Sequence, residues 1–268
     1  HNCPDLTRAM IRSLESTVEI SKHELILIDD ASDSETAIYL QSLASSHRIL
    51  RNETNLGFSG SNNKAAKQAT GDYLLFLNND LELAANWLEP MLELERSMPR
   101  IGAVGNIQKN FQTGLIDHAG IFFDLNGMPT HAWKTRKKLP RGNWKERNAI
   151  TAACLLIRRS VFESMGGFDE TYRNGMEDVD LCVRLRKAGY RLVVSHKSII
   201  RHHISSSPGR HDHNDCNSEL FRQRWSDSMA AAGKSEWPIE YFHRYARYWW
   251  RMDPALAWKA LLMLIFSR

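Results

Sequence analysis

Tyr73-Leu74-Leu75-Phe76-Leu77 runs directly into Asn78-Asn79-Asp80, an unbroken apolar stretch that stops on three polar residues. A run this short and this continuous suits a strand buried on both faces better than a half-exposed one. The same form recurs upstream, where Glu24-Leu25-Ile26-Leu27-Ile28 ends on Asp29-Asp30, and downstream in Ile101 to Ile107, Ile150 to Ile157 and Leu192 to Ser195. Helical spacing fills the intervals. Leu6, Met10, Ile11 and Leu14 follow Asp5, which the pattern offers as an N-cap. Ser32 to Ser46, Phe58 to Thr70, Ala84 to Met98 and Asp178 to Ala188 read as further helices, and His47 to Arg51 as a further strand. Short buried strands alternating with helices predict an α/β fold of βαβ units, with a parallel sheet covered on both faces.

The alternation breaks over Phe111 to Asn148, which is rich in Gly, Pro, Lys and Arg. Lys134, Arg136, Lys137, Lys138, Arg141, Lys145 and Arg147 make it strongly basic. The segment reads as a long surface excursion. It is a solvated face, or it contacts nucleic acid or a lipid-linked phosphate. Beyond Ser205 the sheet pattern fades, and Glu219 to Ala232 reads as a helix. In the tail, Arg247, Trp249, Trp250, Arg251, Trp258 and Lys259 flank the apolar run Leu261 to Phe266. An interfacial helix lying on a membrane and a helix packed back on the domain both fit that mix.

The chain has 268 residues, a net charge of +4 and 43% hydrophobic residues, which excludes a disordered or collagen-like chain. Cys3, Cys154, Cys182 and Cys216 form no Cys-x-x-Cys pair and suit reduced thiols better than a disulfide framework. No run is long and apolar enough to span a bilayer. The opening His1-Asn2-Cys3-Pro4 has no initiator Met, so the first strand of the sheet is expected upstream.

Ligands of open α/β sheets bind outside the carboxyl ends of the strands, where Asp29-Asp30 and Asn78-Asn79-Asp80 fall. The first pair either meets a nucleotide's base and ribose or caps the next helix. Asp80 either holds a divalent cation that clamps a diphosphate or belongs to a turn. Glu177-Asp178 and Asp180 open a helix, where the macrodipole favours acids, and one of these carboxylates is also placed to act as a general base. His202-His203 offers an imidazole ligand. No Gly-x-Gly-x-x-Gly occurs, Gly233-Lys234-Ser235 lacks the first glycine of a phosphate loop, and His211, His213 and Cys216 match no common zinc spacing.

Taken in order, these stretches resemble the family 2 glycosyltransferases, in particular the branch that includes bacterial rhamnosyltransferases. The resemblance runs over residues 1 to 207. It rests on Ile26 to Ser32, Asn55-Leu56-Gly57-Phe58-Ser59-Gly60-Ser61-Asn62-Asn63, Tyr73 to Asp80, Ala153 to Arg159, Gly166-Gly167-Phe168-Asp169-Glu170, Gly175 to Cys182 and His202-His203. It implies a GT-A, Rossmann-like fold: a mixed, mainly parallel sheet flanked by helices, with a helical C-terminal extension. Residues 1–207 would form the transferase domain, 1–107 its nucleotide-binding half and 108–207 its acceptor and catalytic half, with 208–268 as the extension.

The implied activity is inverting transfer of a sugar, rhamnose among the candidates, from a nucleotide diphosphate sugar to a hydroxyl of a cell-surface glycan or lipid-linked acceptor. A non-catalytic protein of the same fold that holds a nucleotide sugar is the alternative. Asp29, Asp30, Asn63, Asn78 and Asn79 would line the nucleotide site, and Asp80 and His202 would hold Mg2+ or Mn2+. Asp178 would be the catalytic base, with Glu177 the other candidate. Ala152 stands where many relatives carry Gly, near the acceptor. The expected setting is the cytoplasm, with peripheral contact at the inner membrane face if the acceptor is lipid-linked. No nucleic-acid partner is expected, since the ordered carboxylates repel a phosphate backbone.

Overall fold

The structure, a computed structural model, describes residues 1–203, 213–245 and 248–266. Its first part follows the expected alternation: helix α1 (Pro4–Thr17), strand β1 (Ile26–Asp29), α2 (Ser34–Ser42), β2 (Arg48–Arg51), α3 (Gly57–Ala66) and β3 (Tyr73–Leu77). Asp5 is not the cap of α1. Cys3 stands there in the left-handed region with φ 58°, and Pro4 occupies the first turn. A proline suits that position because its missing N–H would have had no partner anyway. Helix α2 is capped by Asp33, whose carboxylate accepts from Thr36 N.

The helix expected from Ala84 to Met98 starts later, as α4 (Glu89–Ser97), and an unexpected strand, β4 (Leu81–Leu83), precedes it. Pro90 lies in the first turn of α4, and a proline deeper in a helix would remove one hydrogen bond and clash with the preceding turn. Strand β5 (Ile101–Asn110) outlasts its expected end. It is followed by β6 (Ile116–His118), β7 (Ile121–Phe123), β8 (Pro129–His131), β9 (Trp144–Glu146) and β10 (Cys154–Arg158). Helices α5 (Arg159–Ser164) and α6 (Glu177–Lys187), strand β11 (Arg191–His202) and helices α7 (Asn214–Tyr245) and α8 (Pro254–Phe266) complete the described chain.

The main sheet is mixed, in the order β3-β10-β5-β11-β4, with β6 against β5 and β9 against β11. The pairs β1–β2 and β5–β11 are parallel and are joined through helix-bearing crossovers, as parallel pairing requires. Strands β10 and β4 enter in the opposite sense, antiparallel to their neighbours. Both faces are covered, and alternate residues of one strand feed two cores. Leu155, Ile157, Leu192 and Val194 pack with Leu181, Leu185 and Phe221, whereas Cys154, Leu156 and Val193 pack with Met10, Leu14, Trp87 and Met91. That period of two is why these strands read as continuous apolar runs.

The basic excursion is only partly at the surface. Lys134, Lys137, Lys138 and Arg141 are exposed, but residues 116–123 are buried and β6 joins the main sheet. Its strands are three residues each, too short to stand out among the charges. Arg147 is 1% exposed. Its guanidinium lies 3.0 Å from Glu240 and 3.6 Å from Glu236 of α7, and its Nε donates to the Ala119 carbonyl. Helix α7 is longer than the expected Glu219 to Ala232 and is seated on the sheet domain by this ion triad and by Phe221 and Met229. The domain boundary expected at residue 207 lies outside the described residues.

Breaking a buried pair leaves an uncompensated charge. Glu240→Ala is therefore expected to cost about 3–5 kcal/mol, whereas Lys138→Ala at the exposed crest should change stability by less than about 0.5 kcal/mol. Urea unfolding midpoints of the two variants check this. Equal midpoints would show that the triad does not hold α7.

Candidate active site

The polar ends of β1 and β3 both meet the N-terminal segment, through His1 and Thr7. The Asp29 carboxylate accepts from Ser32 N at 2.9 Å and pairs with Arg51. Asp30 takes three donors, Leu56 N at 2.7 Å, Gly57 N at 2.9 Å and Asn52 Nδ2 at 2.8 Å. The carboxylate thus fixes the Asn55-Leu56-Gly57 turn that starts α3. Gly57 adopts φ 71°, and a Cβ there would stand 2.5 Å from the Arg173 carbonyl, so only glycine fits. His1 and Asn2 close the other side, with His1 Nδ1 2.7 Å from the Asp30 carbonyl and Asn2 N donating to Ser32 Oγ.

Asn63 lies on α3 and is committed to the segment before α6. Its Nδ2 donates to the Phe168 carbonyl and Glu170 Oε1, and its Oδ1 accepts from Phe168 N. Asn63, Phe168 and Glu170 line a cavity of about 630 Å³. Asn78 and Asn79 diverge. Asn78 N donates to the Ala153 carbonyl at 2.9 Å, tying the end of β3 to the start of β10. Asn79 Nδ2 donates to Thr7 Oγ1 of α1 at 3.0 Å.

The next residue brings a different partner. Antiparallel pairing of β4 with β11 sets Leu81 opposite His202, and Asp80 Oδ1 then lies 3.2 Å from His202 Nε2. Both side chains are largely buried. Burial pushes the Asp80 carboxyl up, but the hydrogen bond and charge of His202 and the charge of His203 bring it below its ordinary value. Among the described residues no three His, Cys, Asp or Glu side chains converge as a closed metal cage. A carboxylate and an imidazole at this spacing suit a divalent cation that takes its remaining ligands from water and a diphosphate. Asp80 Oδ1 is buried without full hydrogen bonding, which fits an open site of that kind.

Glu177 and Asp178 open α6 and point to different partners. Glu177 is buried and accepts from Gly175 N, closing the turn in which Met176 takes φ 73°. Asp178 is half-buried, with Oδ2 accepting from Ala152 N at 3.0 Å and Oδ1 from Val179 N. Asp180 is taken by Arg184 and by Trp225 Nε1 of α7. His203 stacks on Phe111, with ring centroids 3.9 Å apart. Of the zinc-like group, His211 lies outside the described residues.

Residues from the excursion also enter this region, and sequence reasoning passed over them. Thr151 N lies 3.5 Å from His118 Nε2, and the His118 ring meets that of His131 edge to face. Burial drives the His118 imidazole well below its ordinary value. It also lowers His131, against the opposing charge of Asp117. Isolated histidines carry no local signal, and only the β5–β6 and β7–β8 pairings bring these two together.

Residues 1–166 match the family model for glycosyl transferase family 2. The chain is 34% identical over 221 residues to the O-antigen biosynthesis protein RfbC of Myxococcus xanthus, covering 76% of this chain and 17% of that protein. It is 30% identical over 186 residues to N-acetylglucosaminyl-diphospho-decaprenol L-rhamnosyltransferase of Mycobacterium tuberculosis, 61% of each. The chain therefore spans between 17% and 61% of the length of these relatives. In fold it is similar to GalNAc-T7 solved with UDP, GalNAc and Mn2+, at TM-score 0.60 and 18% identity over 72% of this chain and 40% of that one. It is also similar to the mannosyltransferase PcManGT of Pyrobaculum calidifontis with GDP-Man and Mn2+, at TM-score 0.57 and 15% identity over 100% and 78%. Both are GT-A folds.

The depressed imidazoles have a consequence for stability. Below its ordinary value of 6.5, His118 binds a proton in the unfolded chain that the folded chain refuses. It therefore stabilises the fold above that pH and withdraws the contribution as pH falls, by at most about 1.4 kcal/mol per pH unit. His131, His196 and His243 are lowered by burial as well and act in the same direction. Urea unfolding at pH 7.5, 6.5 and 5.5 should show little change over the first step and a clear loss over the second, smaller in His118→Asn. A flat profile would show that these rings are not buried neutral.

Proposed function

The chain belongs to glycosyl transferase family 2, and we propose that it moves a sugar, with inversion at the anomeric carbon, from a nucleoside diphosphate sugar to a hydroxyl of a cell-surface glycan or lipid-linked acceptor. One observation carries the reading. The backbone of Ala152-Ala153 binds both halves of the site: Ala152 N holds the Asp178 carboxylate and the Ala153 carbonyl accepts from Asn78 N, two residues before Asp80. A general base and a cation-binding carboxylate are thereby tied to one short segment.

In this reading Asp178 is the base, because Glu177 is turned back to Gly175 N and is more deeply buried. An acceptor hydroxyl gives its proton to Asp178 as its oxygen attacks the anomeric carbon. The bond from that carbon to the diphosphate oxygen breaks, and the diphosphate leaves with the electron pair. The backbone N–H groups of Ala152 and Val179 orient the carboxylate for this step. Asp80 and His202 are the residues that would hold a divalent cation, and Mg2+ or Mn2+ bound there would supply positive charge to offset the departing diphosphate. Asp29 and Asp30 act on the nucleotide side, chiefly by holding the Asn55-Leu56-Gly57 turn and the His1-Asn2 wall in place. Asn63 supports that side through the Phe168 to Glu170 segment, and Asn78 and Asn79 fix the turn before Asp80.

The relatives' names support a rhamnose donor as the first candidate and cell-envelope polysaccharide as the product class. We assign residues 1–207 to the transferase unit and 208–268 to a helical extension. No helix among the described residues is long and apolar enough to cross a membrane. Helix α8 buries Ala260 but leaves Trp258 62% and Phe266 77% exposed, and Trp249 and Trp250 stand exposed before it. That face supports peripheral contact with a bilayer carrying a lipid-linked acceptor.

Nucleoside diphosphate release should be measured with dTDP-rhamnose and a panel of dTDP, UDP and GDP sugars, with Mn2+, Mg2+ or chelator. Release is expected to need the metal and to fall about 10²–10⁴-fold in Asp178→Asn. Asp80→Ala should lose metal-dependent release. Glu177→Gln falling as far as Asp178→Asn would reassign the base. Silence of the wild type with every donor, while nucleotide binding persists in calorimetry, would move the protein to the binding-only class. Sedimentation with anionic vesicles should fall in Trp258→Ser/Phe266→Ser, and unchanged sedimentation would remove the membrane assignment.

A further inference from the structure

Two histidines that the mechanism above does not use stand beside it. His118 ends β6, paired opposite Gln108 of β5, and is 1% exposed. His131 ends β8, opposite Ile121 of β7, with 37% of its side chain exposed. Their rings meet edge to face, with centroids 5.1 Å apart and planes at 86°.

The backbone assigns the ring nitrogens. The Thr151 N–H can only donate, so His118 Nε2 carries the lone pair and Nδ1 the proton. That Nδ1 is buried and has no hydrogen-bond partner among the described residues. The Asp117 carbonyl can only accept, and it lies 3.1 Å from His131 Nδ1. The His131 proton is therefore on Nδ1 and the lone pair on Nε2, which no described residue bonds. Burial holds both rings neutral near pH 7. The pair therefore presents one uncharged donor and one uncharged acceptor on adjacent rings. A buried donor left without a partner is costly and calls for one. A phosphate oxygen would offer only lone pairs and negative charge, whereas a hydroxyl both accepts and donates.

The position matches the chemistry. Thr151 holds His118 and the next residue, Ala152, holds Asp178. The contact that holds His118 is thus one residue along the backbone from the contact that holds Asp178. Building on the transferase reading, we propose that His118 and His131 form a saccharide-hydroxyl subsite. In it one hydroxyl, or a vicinal pair, accepts from His118 Nδ1–H and donates to His131 Nε2. Donor and acceptor sugars both carry hydroxyls, and the assay below separates them.

Calorimetry with dTDP, UDP and GDP in Mn2+ identifies the nucleotide that the wild type binds, and the steady-state assay uses the sugar of that nucleotide with and without acceptor. His118→Phe and His131→Phe should keep the Kd for the free nucleoside diphosphate within about twofold. They should raise KM for one saccharide substrate by about tenfold each, the value of one hydrogen bond of this kind. His118→Asn, which returns a donor at the δ position, and His131→Gln, which returns an acceptor at the ε position, should recover most of the loss. A defect already present in acceptor-free donor hydrolysis places the hydroxyl on the donor. A defect confined to transfer places it on the acceptor. Because His131 is partly exposed, its variants keep the test open if His118→Phe does not fold. Unchanged KM in folded His131→Phe, or equal loss in the Phe variants and in the Asn and Gln variants, overturns the subsite. If the wild type binds no nucleoside diphosphate, the transferase reading fails first, before any histidine variant is compared, and the subsite falls with it.

Discussion

Strand β11 is the member on which the site depends. It is twelve residues long, runs parallel to β5 and carries β4 on its other side. The β4 register sets Leu81 opposite His202, and Asp80 and His202 converge for that reason. A strand has no side-chain freedom to correct an error, since a slip of one residue turns every side chain to the opposite face. The register is held by burial on both faces, with Leu192 and Val194 in one core and Val193 and Ile200 in the other. The extension of β11 beyond its buried apolar start, past the irregularity between Ser195 and Ile199, delivers the imidazole.

The second constraint is the turn that precedes β10. Its backbone groups serve the end of β3, the Asp178 carboxylate and His118 within three successive residues. Backbone donors are fixed once the flanking strand is fixed, so the carboxylate is oriented without a mobile side chain. Around this turn the interior is unusually polar. Arg147 with Glu236 and Glu240 closes the sheet domain against α7, and Asp180 reaches Trp225 on the same helix. Helix α7 is thus bound to the sheet domain by charge and hydrogen bonding as well as by Phe221 and Met229. Desolvation of the triad's three charges offsets much of their attraction, so the cost appears chiefly when one partner is removed.

Much of the architecture was legible along the chain because its signal is local. The strands at Ile26, Tyr73 and Ile101 are apolar runs, and the helix at Glu177 opens with acids where the macrodipole favours them. The misreadings share a physical cause. Leu81 to Leu83 is a three-residue strand that exists only because β11 is beside it. The stretch from Ile116 to Phe123 is buried although charged segments surround it. Cys3 replaces Asp5 as the cap because Pro4 takes the first turn. That Asp30 fixes the Asn55 to Gly57 turn and Asn63 the Phe168 to Glu170 segment is likewise a contact no spacing rule foretells.

The sequence by itself determined the α/β class, the order of the polar strand ends and the family resemblance, because residue type and period act within a few neighbours. Tertiary structure alone decided that Asp80 meets His202, that Ala152 orients Asp178, and that His118 and His131, separated by twelve residues, stand together. It also decided that Arg147 is buried against α7 rather than displayed with the other basic residues. Each of these depends on the register between strands or on a helix docking from far along the chain. Such pairings arise from the packing of whole elements, which a local pattern does not encode.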